Sequence, residues 1–330
     1  MKTSKFLYVG MVALAFAACN NEEVINDGPV AVQVSAGIEG VQTRAAGTSW
    51  DNNDQIGISC TGEGKTKYTN VLYTISDASS GSFASTAPIY FQDLKEVTFF
   101  AYYPYAAAGG TIEKTITATD QETVAQKQID YMFATGAKAS KASPAVKFTS
   151  DGSTDARFKH RMSQLSFTFN QGADTDLTNM TDFTISGLKM EGTFNTENGT
   201  ASVTGTAQAE DLKITETPSA SNTYTRSLIL FPQQVVNGKF SLSLTLGGEI
   251  YKTELSVPNG GTDLIAGNKY TYTITVNKTD LVVSQSSIEN WGNGGNGSGT
   301  PKCNKEQQPP PCKKHQAWRN TYNKGASVMI

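Results

Sequence analysis

Few side chains in this chain combine a reactive type with a setting that points to chemistry, and the first is a thiol. Cys19 directly follows Phe16-Ala17-Ala18, at the end of an apolar run over residues 6–18 that Lys2 and Lys5 precede. Such a run is too short to cross a bilayer and has the form of a secretory signal. Small residues before a cysteine fit a lipoprotein signal, cut ahead of Cys19 with fatty acylation (palmitate) of its thiol. The second is a basic side chain. Arg44 precedes Ala45-Ala46-Gly47-Thr48, a small-residue, turn-forming stretch that a trypsin-like, arginine-specific protease can reach. The chemistry expected here is processing: acylation at Cys19 and hydrolysis between Arg44 and Ala45.

Catalysis by the chain itself finds little support. The two histidines, His160 and His315, are far apart and lack metal-ligand spacing. No Gly-Xaa-Ser-Xaa-Gly elbow or phosphate-cradling loop occurs, and the glycine-rich residues 292–297 read as a linker. Asp51 and Asp54 lack the further ligands of a calcium loop and read as turn formers. His160 lies on an apolar phase and reads as a core or interface residue with hydrogen-bonded ring nitrogens. The formal net charge of -3 offers no basic patch for nucleic acid. The expectation is a chain with no enzyme activity, no cofactor and no metal.

What surrounds Cys19 and Arg44 is β-structure. Between them runs Val30-Ala31-Val32-Gln33-Val34-Ser35-Ala36-Gly37-Ile38, with Val32, Val34, Ala36 and Ile38 on one phase of two. A cut after Arg44 therefore separates one strand and its lipid anchor from the body. The same alternation continues downstream. Residues 96–103 form a strand that ends at Pro104. Phe240, Leu242, Leu244 and Leu246 alternate up to Gly247-Gly248, and residues 250–257 return as a hairpin partner. Tyr270, Tyr272, Ile274 and Val276 share a phase, with threonines on the other. Phe158, His160 and Met162 are out of phase with Leu165, Phe167 and Phe169, so a bulge or bend is expected near Ser163-Gln164. Residues 107–129 read as a loop with a little helix.

Composition agrees with a secreted β-protein. The chain has 330 residues, 30 glycines and 17% charged residues, a length that suits roughly two domains of about 100–150 residues. With Cys19 assigned to lipid, Cys60, Cys303 and Cys312 are an odd, scattered set that cannot make a disulfide framework. Cys303 and Cys312 are placed to pair with each other, leaving Cys60 as a buried thiol. Asn20-Asn21-Glu22-Glu23, just after the lipid site, resembles the surface-export signal of some Gram-negative lipoproteins.

A series of segments resembles a known family. In order they are Ser49-Trp50-Asp51 with Asp54-Gln55-Ile56-Gly57-Ile58, then Phe99-Phe100-Ala101-Tyr102-Tyr103-Pro104-Tyr105, then Asp130-Tyr131-Met132-Phe133-Ala134. Phe158-Lys159-His160-Arg161-Met162-Ser163-Gln164-Leu165, Leu228-Ile229-Leu230-Phe231-Pro232-Gln233, Gly267-Asn268-Lys269-Tyr270-Thr271-Tyr272 and Ile288-Glu289-Asn290-Trp291 follow. Together they are similar to the fimbrillins, subunits of type V pili, over roughly residues 19–292. The resemblance implies an all-β chain with two transthyretin-like antiparallel β-sandwich domains in tandem. It implies a lipoprotein precursor exported to the outer membrane and cell surface, and removal of the first strand after an arginine, which Arg44 matches. The expected divisions are signal peptide 1–18, lipidated propeptide 19–44, domains 45–155 and 156–291, and a Gly/Pro-rich basic tail 292–330 that is expected to be disordered.

The resemblance also implies partners: other pilus subunits joined head to tail, an arginine-specific protease, and a surface receptor that the sequence does not name. A sandwich lacking one strand exposes backbone groups and an apolar trough that a strand from a second subunit can fill. Residues 281–291, with Leu281, Val283, Ile288 and Trp291 as apolar contacts and Gln285 in phase with the first two, are one candidate donor. The donor reading is preferred; the alternative is that they are merely the last strand of their own domain. Stalk, tip and non-cleaved anchor subunits share these features. A different class of function, a lipid-anchored glycan-binding protein, would use Tyr102, Tyr103 and Tyr105 as a stacking platform; the plainer reading places these rings in the core.

Overall fold

The computed structural model describes residues 28–40, 49–220 and 222–291. The strands of the first half are β1 (Val30–Ala31), β2 (Gln33–Ala36), β3 (Gln55–Thr61), β4 (Tyr68–Asp77), β5 (Ser82–Ala84), β6 (Tyr90–Phe91), β7 (Val97–Tyr103), β8 (Thr111–Thr115), β9 (Met132–Ala139), β10 (Ala145–Phe148) and β11 (Lys159–His160). Those of the second are β12 (Ser163–Gln171), β13 (Met180–Lys189), β14 (Glu191–Asn195), β15 (Ala201–Val203), β16 (Ala209–Thr215), β17 (Thr223–Leu230), β18 (Gln233–Gln234), β19 (Lys239–Leu246), β20 (Glu249–Ser256), β21 (Asp263–Leu264), β22 (Asn268–Val276) and β23 (Leu281–Asn290). Among the described residues the helical elements are short 3-10 turns.

The alternation in the sequence becomes burial. In β19, Phe240, Leu242, Leu244 and Leu246 are buried while Lys239 and Ser241 face water. Gly247 and Gly248 take φ of 60° and 87°, which a side chain would strain, and β20 returns antiparallel. Tyr270, Tyr272, Ile274 and Val276 of β22 are likewise buried, and Cys60 in β3 is a free, buried thiol.

The first half forms an eight-stranded sheet in the order β10-β2-β5-β4-β3-β7-β9-β11. It cannot be flat. Six inter-strand steps separate β9 from β10, about 29 Å in a flat ladder, while the six-residue step from Ala139 to Ala145 reaches at most about 21 Å. The sheet therefore curls over its own core, which includes Trp50, Ile56, Ile58, Phe83, Phe99, Val146, Phe148 and Phe158. In the second half, sheets β17-β12-β22-β23 and β16-β13-β19-β20 enclose another core. Phe167 meets Phe183 edge to face at 5.9 Å, and Phe240 meets Tyr272 at 5.7 Å, so the two sheets interdigitate as a sandwich.

Three features differ from the sequence reading. Two pairs in these mostly antiparallel sheets run parallel, β2 with β10 and β12 with β22; each joins strands far apart in the chain, as parallel pairing requires. Residues 107–129 contain 3-10 turns at Thr119–Gln121 and Ala125–Gln128 but also β8, which pairs with β14 of the second half. Ile112 is the only large apolar residue of β8, so alternation could not mark it. Finally, the expected bend lies at Arg161-Met162, where the chain leaves β11 in one sheet for β12 in another. The two cores interlock around this crossover: Ile116, Ile129 and Tyr131 join the second core, and Tyr131 stacks on Phe194 at 4.8 Å.

Candidate functional site

The first strand lies inside its sheet, not at an edge. β2 is held between β10, in parallel register Val34 to Val146, and β5, in antiparallel register Val34 to Phe83. Val32, Val34, Ala36 and Ile38, the phase singled out by alternation, are all buried, with exposures between 4% and 7%. Bonds beyond the ladder fix the whole segment. The Val32 amide donates to the Ile89 carbonyl at 2.9 Å, Ala36 to Gly81 at 2.8 Å, and Gly37 to Phe148 at 2.9 Å. The Trp50 indole donates to the Ala36 carbonyl at 2.7 Å in a buried bond. Trp50 itself is gripped edge-on by Phe83 and Phe158, each at 5.1 Å. Withdrawing residues 28–40 would leave facing rows of backbone donors and acceptors on β5 and β10 above an apolar floor.

One end of this trough is charged. Ile38 bridges Phe158 in parallel, and the Glu39 amide donates to the Phe158 carbonyl at 2.7 Å. Around Phe158 stand Arg157, Lys159 and Arg161. Asp155 accepts from Arg157 Nε at 2.7 Å and Nη2 at 3.0 Å, and these bonds hold its carboxyl down at about 2. Arg161 is half-buried with its guanidinium over the Phe133 ring at 5.6 Å, and burial pushes its pKa down while Glu39 opposes that shift. Between these arginines, His160 is buried. Its Nδ1 is 2.7 Å from Asp130 Oδ1, and its ring stacks on Trp291 at 4.2 Å. This is the hydrogen-bonded core or interface histidine expected from the sequence.

The other sequence-singled residues divide clearly. Leu281, Val283, Ile288 and Trp291 belong to β23 and the residue after it. Here β23 is the edge strand of its own sheet, paired with β22 along its length. Leu281 and Trp291 are buried, while Val283 and Ile288 are half-buried. A register shift opposite Thr273 and Ile274 changes the phase, so Ser286, not Gln285, continues the face of Leu281 and Val283. Tyr102 and Tyr103 are buried, and the Tyr102 hydroxyl oxygen lies 2.7 Å from Asn70 Oδ1 and 2.8 Å from the Ala106 carbonyl oxygen, with one proton to share between them, and accepts from the Ala106 amide at 3.1 Å, so these rings serve the core. Asp54 accepts from the Asp51 amide at 2.7 Å, a turn as expected. No cluster of metal-ligating side chains occurs among the described residues. Cys19, Arg44, Ala45, Cys303, Cys312 and the basic tail lie outside them.

Sequence reasoning missed β10 as the neighbour of the first strand, and with it the Glu39 and Arg161 end of the trough. The alternation Ala145-Val146-Lys147-Phe148 was available as a signal. The basic run 157–161 was visible too, but only the fold brings Glu39 beside it.

Comparison with known proteins then adds independent findings. A sequence model described as Fimbrillin-like matches residues 43–291. The Bacteroides uniformis protein named "Putative fimbrium subunit Fim1C" is 32% identical over 295 residues, covering 83% of this chain and 89% of its own length. The crystal structure of a "putative cell adhesion protein" from Bacteroides ovatus superposes with a TM-score of 0.67 at 27% identity, covering 80% of this chain and 98% of that one. A second crystal structure with the same description, from Bacteroides uniformis, gives 0.61 at 27% identity, covering 80% and 100%.

Proposed function

Since this chain belongs to the fimbrillin-like family, we propose that it is a structural subunit of a fimbrium, exposed at the cell surface and serving adhesion. We further propose that it is exported as a lipoprotein acylated at Cys19 and carried to the outer membrane. An arginine-specific protease cuts between Arg44 and Ala45. The first strand leaves, and a strand from another subunit fills the vacated trough, so that subunits join head to tail. Such a head-to-tail joint grows into a filament when the rotation between successive subunits does not close a ring. In this reading residues 45–155 and 156–291 are the two sandwich domains, and the chain is a stalk or tip subunit and not an enzyme.

The observation that carries the reading is the position of β2. It is an interior strand held by both neighbours, the segment around it buries Val32, Val34, Ala36 and Ile38, and the linker that follows it in the sequence contains Arg44. A cut in that linker would free an interior strand, and its release would open a groove in the sheet. The test is processing. Mass measurement of surface protein is expected to give a mature N-terminus at Ala45, and ladders are expected on gels run without boiling. Arg44→Ala is expected to stay lipidated and monomeric; normal polymers from that variant would refute the proposal.

A further inference from the structure

The outer face of the sheet β16-β13-β19-β20, turned away from the second core, carries an ordered polar pattern. Along each strand its outward residues alternate with buried or half-buried ones, and the strand registers line them up in rows across the sheet. One row runs Lys213, Thr184, Ser243, Lys252, each opposite the next. The next runs Asp211, Ser186, Ser241, Glu254, with Asp211 beside the register shift that follows Ile185. Each row has two hydroxyls in its middle and one sign of charge at both ends, basic in the first row and acidic in the second. The small hydroxyl residues leave a depression of about 570 Å³ between the charged rims.

Pairing within the chain leaves these charges available. Lys213 reaches Asp182 at 3.3 Å and Glu254 accepts from Lys239 at 2.5 Å, but both lysines are exposed, and surface pairs of this kind re-form at little cost. Among the described residues, Asp211 and Lys252 enter no ion pair. The pattern is complementary to itself under one symmetry operation. Suppose a second copy faces this sheet about a two-fold axis that lies across the strands, midway between the two rows. Each strand then lies over its own counterpart, running the other way, and each row lies over the other row. Lys213 meets the partner's Asp211 and Lys252 meets the partner's Glu254, each pair occurring twice, while hydroxyls face hydroxyls. On β19 and β20 the flanking rows bring Thr245 opposite Lys239 and Ile250 opposite Ser256, which adds no like-charge contact. A two-fold axis along the strands would instead set Lys213 against Lys252 and Asp211 against Glu254. The charges therefore select the first arrangement and oppose the second.

We propose that this face is a self-association surface, on which a second copy of this chain docks about the axis across the strands through the Lys213–Asp211 and Lys252–Glu254 pairs. Its extent sets its strength. Four strands and two charged rows cover about 300 Å², well below the roughly 800 Å² per partner of a stable dimer. A single contact is therefore transient and salt-sensitive, with water bridging the facing hydroxyls. The contact stands apart from strand exchange, because the surface is complete in the uncut monomer.

Sedimentation equilibrium of the full, uncut chain at high protein concentration and low salt measures this contact. The average mass of the wild type is expected to rise with concentration at low salt and to stay monomeric in about 1 M salt, where the screening length is about 3 Å. Lys252→Glu places like charges opposite each other twice, and is expected to lower the association constant about tenfold or more; Glu254→Lys is expected to do the same. The double variant Lys252→Glu/Glu254→Lys has the wild-type net charge and exchanges the rows at one rim, so it is expected to recover association to within about twofold of wild type. Lys138→Glu, on β9 in the other half of the chain, is the control and is expected to leave association unchanged. Melting temperatures equal to wild type are expected throughout, since every substituted side chain is exposed. A wild type that stays monomeric at low salt, association that persists in about 1 M salt, or a double variant no better than the single ones would overturn the proposal. Stronger association in Lys252→Glu would overturn it too, by pointing to the axis along the strands.

Discussion

Val34→Asp in an uncut precursor tests whether the first strand can leave the sheet on its own. Val34 is 6% exposed and lies between Val146 of β10 and Phe83 of β5. Removing its burial costs about 2 kcal/mol. Enclosing a carboxylate there adds at least about another 2 kcal/mol, because no cation is paired with this position. A loss of about 4 kcal/mol corresponds to roughly a thousandfold rise in the population with the strand detached. Hydrogen exchange at the amides of Val32, Ala36 and Gly37 is the assay, since their acceptors are identified. Those amides are expected to exchange about a thousandfold faster in the variant, while the β22 amides, in the other core, keep their wild-type rates. The pH dependence has a defined sign. Burial raises the introduced carboxyl's folded-state pKa above its unfolded value, so the variant strand is best held at low pH and is lost from the sheet as pH rises. Gln33→Asp, one residue away and exposed, is the control and should do little. Wild-type exchange in Val34→Asp would show that the strand does not occupy an apolar trough. Equal acceleration in β22 would show that it does not detach separately from the rest of the fold.

Two further outcomes follow from the same packing. Phe167→Ala removes a fully buried ring that contacts Phe169, Phe183 and Tyr272, and is expected to cost about 3–5 kcal/mol of stability in thermal or urea melts; a loss below about 1 kcal/mol would contradict the sandwich packing. Asp155, held at about 2 by the Arg157 hydrogen bonds, is expected to contribute stability that is fully present above the ordinary aspartate range and lost as pH falls toward 2. Arg157→Gln should move its titration, followed by carboxyl NMR, back up toward ordinary values, and an unchanged midpoint would remove Arg157 as the cause.

Much of this chain is written in local pattern. Period-two alternation marked β2, β19, β20 and β22 because each turns one face of a pleated strand toward the core, and it marked β7 up to Ala101, beyond which Tyr102 and Tyr103 are buried in different cores. The same logic identified the buried phase of Val32, Val34, Ala36 and Ile38, the glycine turn at 247–248 and the out-of-phase step before Leu165. The order of aromatic and proline-containing segments was enough to suggest the family that the chain matches. Pairing was not legible, because a strand's own pattern does not specify its neighbour. That β2 lies parallel to β10, that β8 crosses to β14, and that β23 returns to β22 with one extra residue are decided by which surfaces meet when the sheets close. The extra residue moved Ser286 into phase in place of Gln285, a change no reading of alternation in residues 281–291 could supply. Glu39 and the basic run 157–161 are far apart in sequence, and only the folded sheet brings the Glu39 amide onto the Phe158 carbonyl and so places that carboxylate beside the run. Local alternation fixes which face of each strand is apolar; long-range closure fixes which charges and backbones face each other, because those contacts exist only once distant segments are brought together.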